Sequence, residues 1–137
     1  MPTIAEIESF LSGAFTKFDT KIVAVGDGGA TIRREIREAD LRPGGTVSGP
    51  TLMAMADTAL YVALFGEIGI VPMAVTTNMN INFLRKPSGS AAIVAICKLL
   101  KVGRSLAVGE VSLYSEGNDD PVAHVVGSYS IPSDARK

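Results

Sequence analysis

Apolar residues recur at Ile4, Ile7, Leu11 and Phe15, the spacing of one face of a helix. Thr3 stands just before them and Glu6 three residues on, the capping-box pair in which each side chain accepts from the other's backbone amide. A short amphipathic helix is therefore predicted within residues 1–18. Two strand-like segments follow, KIVAV (21–25) and ATIRREI (30–36), on either side of GDGG, whose residues tolerate positive φ, so a hairpin is predicted. In its second strand Ile32 and Ile36 would face inward, and Arg33, Glu35 and Arg37 would face water.

After the loop EADLRPGG the pattern changes to a run that is almost wholly apolar from Leu52 to Phe65. Ser48 or Gly49 is placed to cap a helix there, with Pro50 as its first residue, where the missing N–H costs nothing. Its end is expected near Gly66. Four strand-like runs come next, roughly 74–85, 91–101, 105–115 and 121–131, separated by KPSG, VGR and EGNDD. Connections this short predict an antiparallel meander. The expected class is α+β, one long helix against one curled antiparallel sheet. Because the helix is apolar on nearly every side, a single sheet leaves part of it uncovered, and a second subunit is expected there. No repeat or linker divides the chain, so one domain is expected over 1–137, with its core at 19–132.

Composition narrows the partners more than the fold. Of 137 residues 47% are hydrophobic and 20% charged, with a formal net charge of −1, so no basic field for nucleic acid is present. The lone cysteine, Cys97, excludes an intramolecular disulfide, and one histidine and one cysteine leave no expected metal site. Neither a leader-like start nor a membrane-spanning run is apparent, which points to a cytoplasmic protein without a membrane partner.

Asp57 stands out in the apolar helix, since an ionised carboxylate among apolar neighbours is costly unless paired. Met53, Ala54, Leu60 and Tyr61 share its face, and only Tyr61 offers a polar atom. Asp57 therefore either meets solvent at a helix edge or is held there for function. His124 and Cys97 read as ordinary strand residues, and RPGGTVSGP lacks the spacing of a phosphate-binding loop. Asn78, Asn80 and Asn82 alternate with Met79, Ile81 and Phe83, as on a half-buried strand. Arg85, Lys86, Lys101 and Arg104 stand at strand ends and turns, where several together could hold a polyanionic small molecule.

In order, RPGGTVSGPTLMAMAD (42–57), VTTNMNINFLRKP (75–87) and KVGRSLAVGEVSLYSEG (101–117) resemble the hotdog-fold acyl-CoA thioesterases of the phenylacetate-pathway, PaaI-like branch. The resemblance runs from about Asp19 to Ile131. It implies a hotdog fold, hydrolysis of acyl-CoA without a cofactor, and a homodimer or dimer of dimers. It also implies that Asp57 is the catalytic acid, that the Gly49 amide polarises the thioester carbonyl, and that the Thr76 hydroxyl assists the acid. Arg85, Lys86 and Arg104 are expected on the CoA phosphates and Tyr61 at the acyl pocket, with Arg42, Ser48 and Asn78 among the substrate contacts. The family's Asn, His and second Gly are here Arg42, Ser48 and Pro50. Those replacements suggest a competing reading, an acyl-CoA-binding hotdog protein with little or no turnover.

Two geometric conditions follow. Eight helical residues separate Gly49 from Asp57 by about 12 Å along the axis and roughly 80° around it, so one carbonyl reaches both only if a second copy supplies one of them. Strict alternation would also turn Thr76 to the asparagine face, away from the helix, unless a bulge intervenes.

Overall fold

The computed structural model describes residues 1–15 and 19–133. Thr3 caps the first helix, α1 (Ile4–Ala14), with both halves of the capping box in place. Ile7 and Leu11 are buried on its inner face, whereas Phe15 is the C-cap, in extended backbone and half exposed. The last positions assigned to this helical segment, 16–18, lie outside the described residues.

The hairpin forms as its turn chemistry requires. β1 (Lys21–Gly26) and β2 (Gly29–Arg34) pair antiparallel across Asp27 and Gly28, whose φ values of 52° and 78° are both positive, as a tight two-residue hairpin turn demands. Ile32 is fully buried, but Ile36 falls beyond the strand and is only partly covered. Arg33 pairs with Glu35 and Glu116 at the surface.

Four longer strands complete the sheet: β3 (Val75–Phe83), β4 (Ile93–Val102), β5 (Leu106–Ser115) and β6 (Ala123–Ser130). Their order is β1-β2-β4-β5-β6-β3, every neighbouring pair antiparallel. The meander expected of all four strands is thus confined to β4, β5 and β6. KPSG does not close a hairpin, because residues 84–92 cross the sheet end instead. Leu84 and Arg85 amides donate to the Val122 carbonyl at 2.8 and 3.2 Å, and the Ser88 amide donates to Ser115 Oγ at 3.0 Å. Glu116 then donates to Ala92 at 2.8 Å, delivering the chain to β4. The crossing leaves β3 at the outer edge, paired on one side only.

The long helix, α2 (Gly49–Ile68), runs two residues past the expected end at Gly66 and stops at Gly69, whose φ of 93° suits glycine. It lies in the curve of the sheet against β2, β4 and β5. Leu60 enters a groove made by Gly109 and Gly127, which face each other across β5 and β6. A Cβ on either glycine would stand 2.7 Å from a Leu60 methyl, so this close approach depends on both. Among the described residues α2 is the one helix long and apolar enough to span a bilayer, yet it is the core helix that the sheet encloses. The enclosure is incomplete. Pro50, Met53 and Ala54 are exposed and Asp57, Thr58 and Tyr61 half-buried, positions spaced as one stripe of the helix.

Candidate functional site

Asp57 lies on that uncovered stripe, two turns into α2, with three hydroxyl-bearing residues around it. Thr76 Oγ1 donates to Asp57 Oδ1 at 2.6 Å. Tyr129 Oη donates to the same Oδ1 at 2.6 Å and stands 3.1 Å from the Asp57 carbonyl oxygen. Tyr61, one turn further along α2, gives its hydroxyl to the Pro72 carbonyl at 2.9 Å and stacks against Tyr129 with centroids 5.7 Å apart.

The bulge that Thr76 needs is present. Pairing of β3 with β6 slips between Thr76 and Asn78, so Thr77 is the extra residue and Thr76 turns toward α2. Beyond the slip Asn78, Asn80 and Asn82 point to solvent while Met79 and Ile81 are half-buried. Tyr129 is a site residue that no motif in the sequence marks. Its signal was alternation, since Ala123, Val125, Gly127 and Tyr129 share the inward phase of β6 and a buried phenol needs a hydrogen-bond partner. Burial, and then the bond to Asp57, push that phenol far above its ordinary range, so it remains a donor. Burial raises Tyr61 as well.

Asp57, Thr58, Tyr61, Thr76 and Tyr129 open into a cavity of about 610 Å³ whose apolar wall includes Leu11, Met55 and Ala74. Gly49 is not part of it. It opens into a second cavity of about 450 Å³, together with Arg42, Arg85, Lys86 and Phe83. Phe83 lies so close that a Cβ on residue 49 would stand 3.2 Å from its ring.

The start of α2 leaves one donor open. Ser48 is the N-cap: its Oγ accepts from the Thr51 amide at 3.3 Å and shares a 2.9 Å hydrogen bond with Thr51 Oγ1. Leu52 donates to the Ser48 carbonyl at 3.2 Å, and Pro50 has no N–H. Only the Gly49 amide of this first turn has no acceptor among the described residues, and it sits at the positive end of the helix. Replacing Ser48 with Ala is expected to lower stability by about 1 kcal/mol, measured by urea denaturation; an unchanged midpoint would contradict the cap.

An ion network holds the loop before this cap. Arg34 pairs with Asp19 and, at 3.0 Å, with Asp40, which is 6% exposed; the Asp40 carbonyl accepts from the Ser48 amide at 2.8 Å. Burial alone would raise the Asp40 carboxyl, but the Arg37 amide and the Arg34 guanidinium outweigh it and hold it below its ordinary value.

The remaining expected contacts are dispersed. Arg85 Nη1 donates to the Pro121 carbonyl at 2.8 Å, beside exposed Lys86 and Arg42. Arg104 stands in the β4–β5 turn, at the other end of the strands from Arg85 and Lys86, and with Asn78 and Ser48 it lines neither cavity. The cations therefore do not form one cluster within a chain. His124 stands 3.8 Å from Glu110, away from both cavities. Cys97 is 3% exposed, and burial pushes its thiol up to about 12, so it is core packing. No group of three or more metal-ligating side chains occurs among the described residues.

Residues 44–122 match the family described as the thioesterase superfamily. A solved Silicibacter structure, provisionally assigned as a thioesterase, is 40% identical and superposes with a TM-score of 0.86 over 94% of this chain and 91% of its own. The Escherichia coli PaaI protein of the phenylacetic acid degradation operon shares the fold, with a TM-score of 0.80 at 19% identity, over 94% of this chain and 91% of that one. A Thermoplasma acidophilum protein, provisionally assigned as an esterase, is 24% identical over 88% of this chain and 89% of its own.

Proposed function

Because the chain belongs to the thioesterase superfamily and has its hotdog fold, we propose that it hydrolyses acyl-CoA thioesters to the free acid and CoA, in active sites shared between two copies. The observation that carries this reading is the separation of Asp57 and Gly49 into different cavities at opposite ends of one edge strand. Thr76, at the start of β3, bonds Asp57; Phe83, at its end, covers Gly49.

The free edge of β3 makes a second copy the natural means of closing the gap. An unpaired strand edge invites another strand, and exposed apolar residues flank this one: Met73 is 72% exposed, Val75 and Phe83 55%, and Leu84 48%. A two-fold axis that pairs two β3 edges antiparallel sets the Thr76 end of one against the Phe83 end of the other. It also brings the uncovered helix stripes face to face. Asp57 then meets the partner's Gly49, and Arg104 lies toward the partner's Arg85 and Lys86. A dimer of dimers remains compatible with this arrangement.

In the shared site the thioester oxygen accepts from the Gly49 amide, where the helix dipole stabilises the developing oxyanion. The partner's Asp57 takes a proton from water as the water oxygen bonds to the carbonyl carbon. The C–S bond then breaks, and the CoA thiolate leaves and recovers that proton. Thiols ionise near pKa ~8.5, so no strong acid is needed for departure. Arg42, Arg85 and Lys86 face the CoA phosphates, and Tyr61 with the wall of the larger cavity receives the acyl group. No cofactor takes part, and a cytoplasmic location suits a CoA ester as substrate.

The direct test offers purified protein a panel of acyl-CoAs and reads release of free thiol. Turnover of at least one is expected. Tight binding of acyl-CoA without release of CoA would overturn the hydrolytic reading in favour of a binding protein.

A further inference from the structure

We infer that Tyr129 is a positioning residue for Asp57, selecting which carboxylate oxygen does the chemistry; this rests on the thioesterase reading above. Tyr129 and Thr76 are register partners across β6 and β3, and both hydroxyls converge on Oδ1 at 2.6 Å. A carboxylate oxygen offers about two lone-pair sites, so Oδ1 is filled. Oδ2 accepts no hydrogen bond among the described residues and is the oxygen left to take the proton from water.

The ring is built to hold this arrangement. Tyr129 is 5% exposed and stacks on Tyr61, which is itself tied to the Pro72 carbonyl. One phenol proton cannot serve two acceptors fully, so the 2.6 Å contact to Oδ1 takes it and the 3.1 Å contact to the Asp57 carbonyl shows how closely the hydroxyl abuts the helix turn. Thr76 alone would leave the carboxylate free to rotate about its single remaining donor. With two donors on one oxygen, from two strands, its plane is fixed.

The test is Tyr129→Phe, which keeps the ring and removes the hydroxyl, with kcat, KM and the unfolding midpoint measured in the wild-type and Asp57→Asn backgrounds. A lost hydrogen bond to a charged group predicts a fall in kcat of roughly 10- to 100-fold, with KM within about twofold. In the Asp57→Asn background the same substitution should have no further effect, because it acts through the carboxylate. Unchanged kcat, whether or not the midpoint falls, overturns the role, as do equal losses in both backgrounds. If Asp57→Asn abolishes turnover and Tyr129→Phe retains it in full, hydrolysis stands and the positioning role does not. A wild-type protein that turns over no acyl-CoA removes both. Should the Phe variant fail to fold, 3-fluorotyrosine at position 129 keeps the shape and changes donor strength; a shift in kcat alone supports the role, and no shift overturns it.

Discussion

Asp57→Asn is expected to lower kcat for acyl-CoA hydrolysis by roughly 10²- to 10⁴-fold, the range for removal of a positioned acid–base group. The substitution is nearly isosteric, and the amide oxygen can still accept from the Thr76 and Tyr129 hydroxyls that hold Oδ1. The fold should therefore persist. What is lost is the second oxygen's capacity to take a proton, since the amide nitrogen is a donor. KM should change far less than kcat, because Asp57 is required by the reaction rather than for holding CoA. Steady-state thiol release, with circular dichroism to confirm folding, provides the measurement. Equal rates for the two proteins would remove Asp57 from the mechanism.

The sequence revealed different parts of the molecule to different depths. The capping box at Thr3 and Glu6, the hairpin at Asp27 and Gly28, and the cap at Ser48 and Pro50 are local chemistry, legible because each depends on residues a few positions apart. The strand order was not. KPSG carries turn residues whether the chain reverses into the adjacent strand or crosses the sheet end, and only the bonds to Val122 and Ser115 distinguish the two. Pairing between distant strands leaves little local trace.

The site shows the same division. Asp57 was conspicuous as a charge in an apolar helix, and a bulge before Asn78 was required only because the resemblance puts the Thr76 hydroxyl on Asp57 while strict alternation turns it away. That Thr77 is the bulged residue, and that Tyr129 meets Asp57 beside Thr76, depends on the β3–β6 register, which joins positions 53 residues apart. Ser48 and Pro50 stand where the family's pattern has His and Gly. In the structure one takes the Thr51 amide and the other contributes no amide, so together they leave Gly49 as the open donor of the first turn.

Gly49→Pro removes that donor at a position where a helix accepts proline, and its loss is expected to lower kcat by roughly 10²- to 10³-fold. The added ring meets Phe83, which would stand 3.2 Å from a Cβ at this position, so circular dichroism and sedimentation are needed to show a folded dimer before the loss is read as catalytic. Combining this variant with Asp57→Asn tests the central claim, that each site takes its acid from one chain and its oxyanion donor from the other. In a dimer of one Gly49→Pro chain and one Asp57→Asn chain, one site is intact and the other carries both lesions. Random exchange of subunits makes about half the dimers mixed, so the mixture should regain about a quarter of wild-type activity from two nearly inactive parents. Activity that stays at the level of the parents after verified exchange would contradict the shared site.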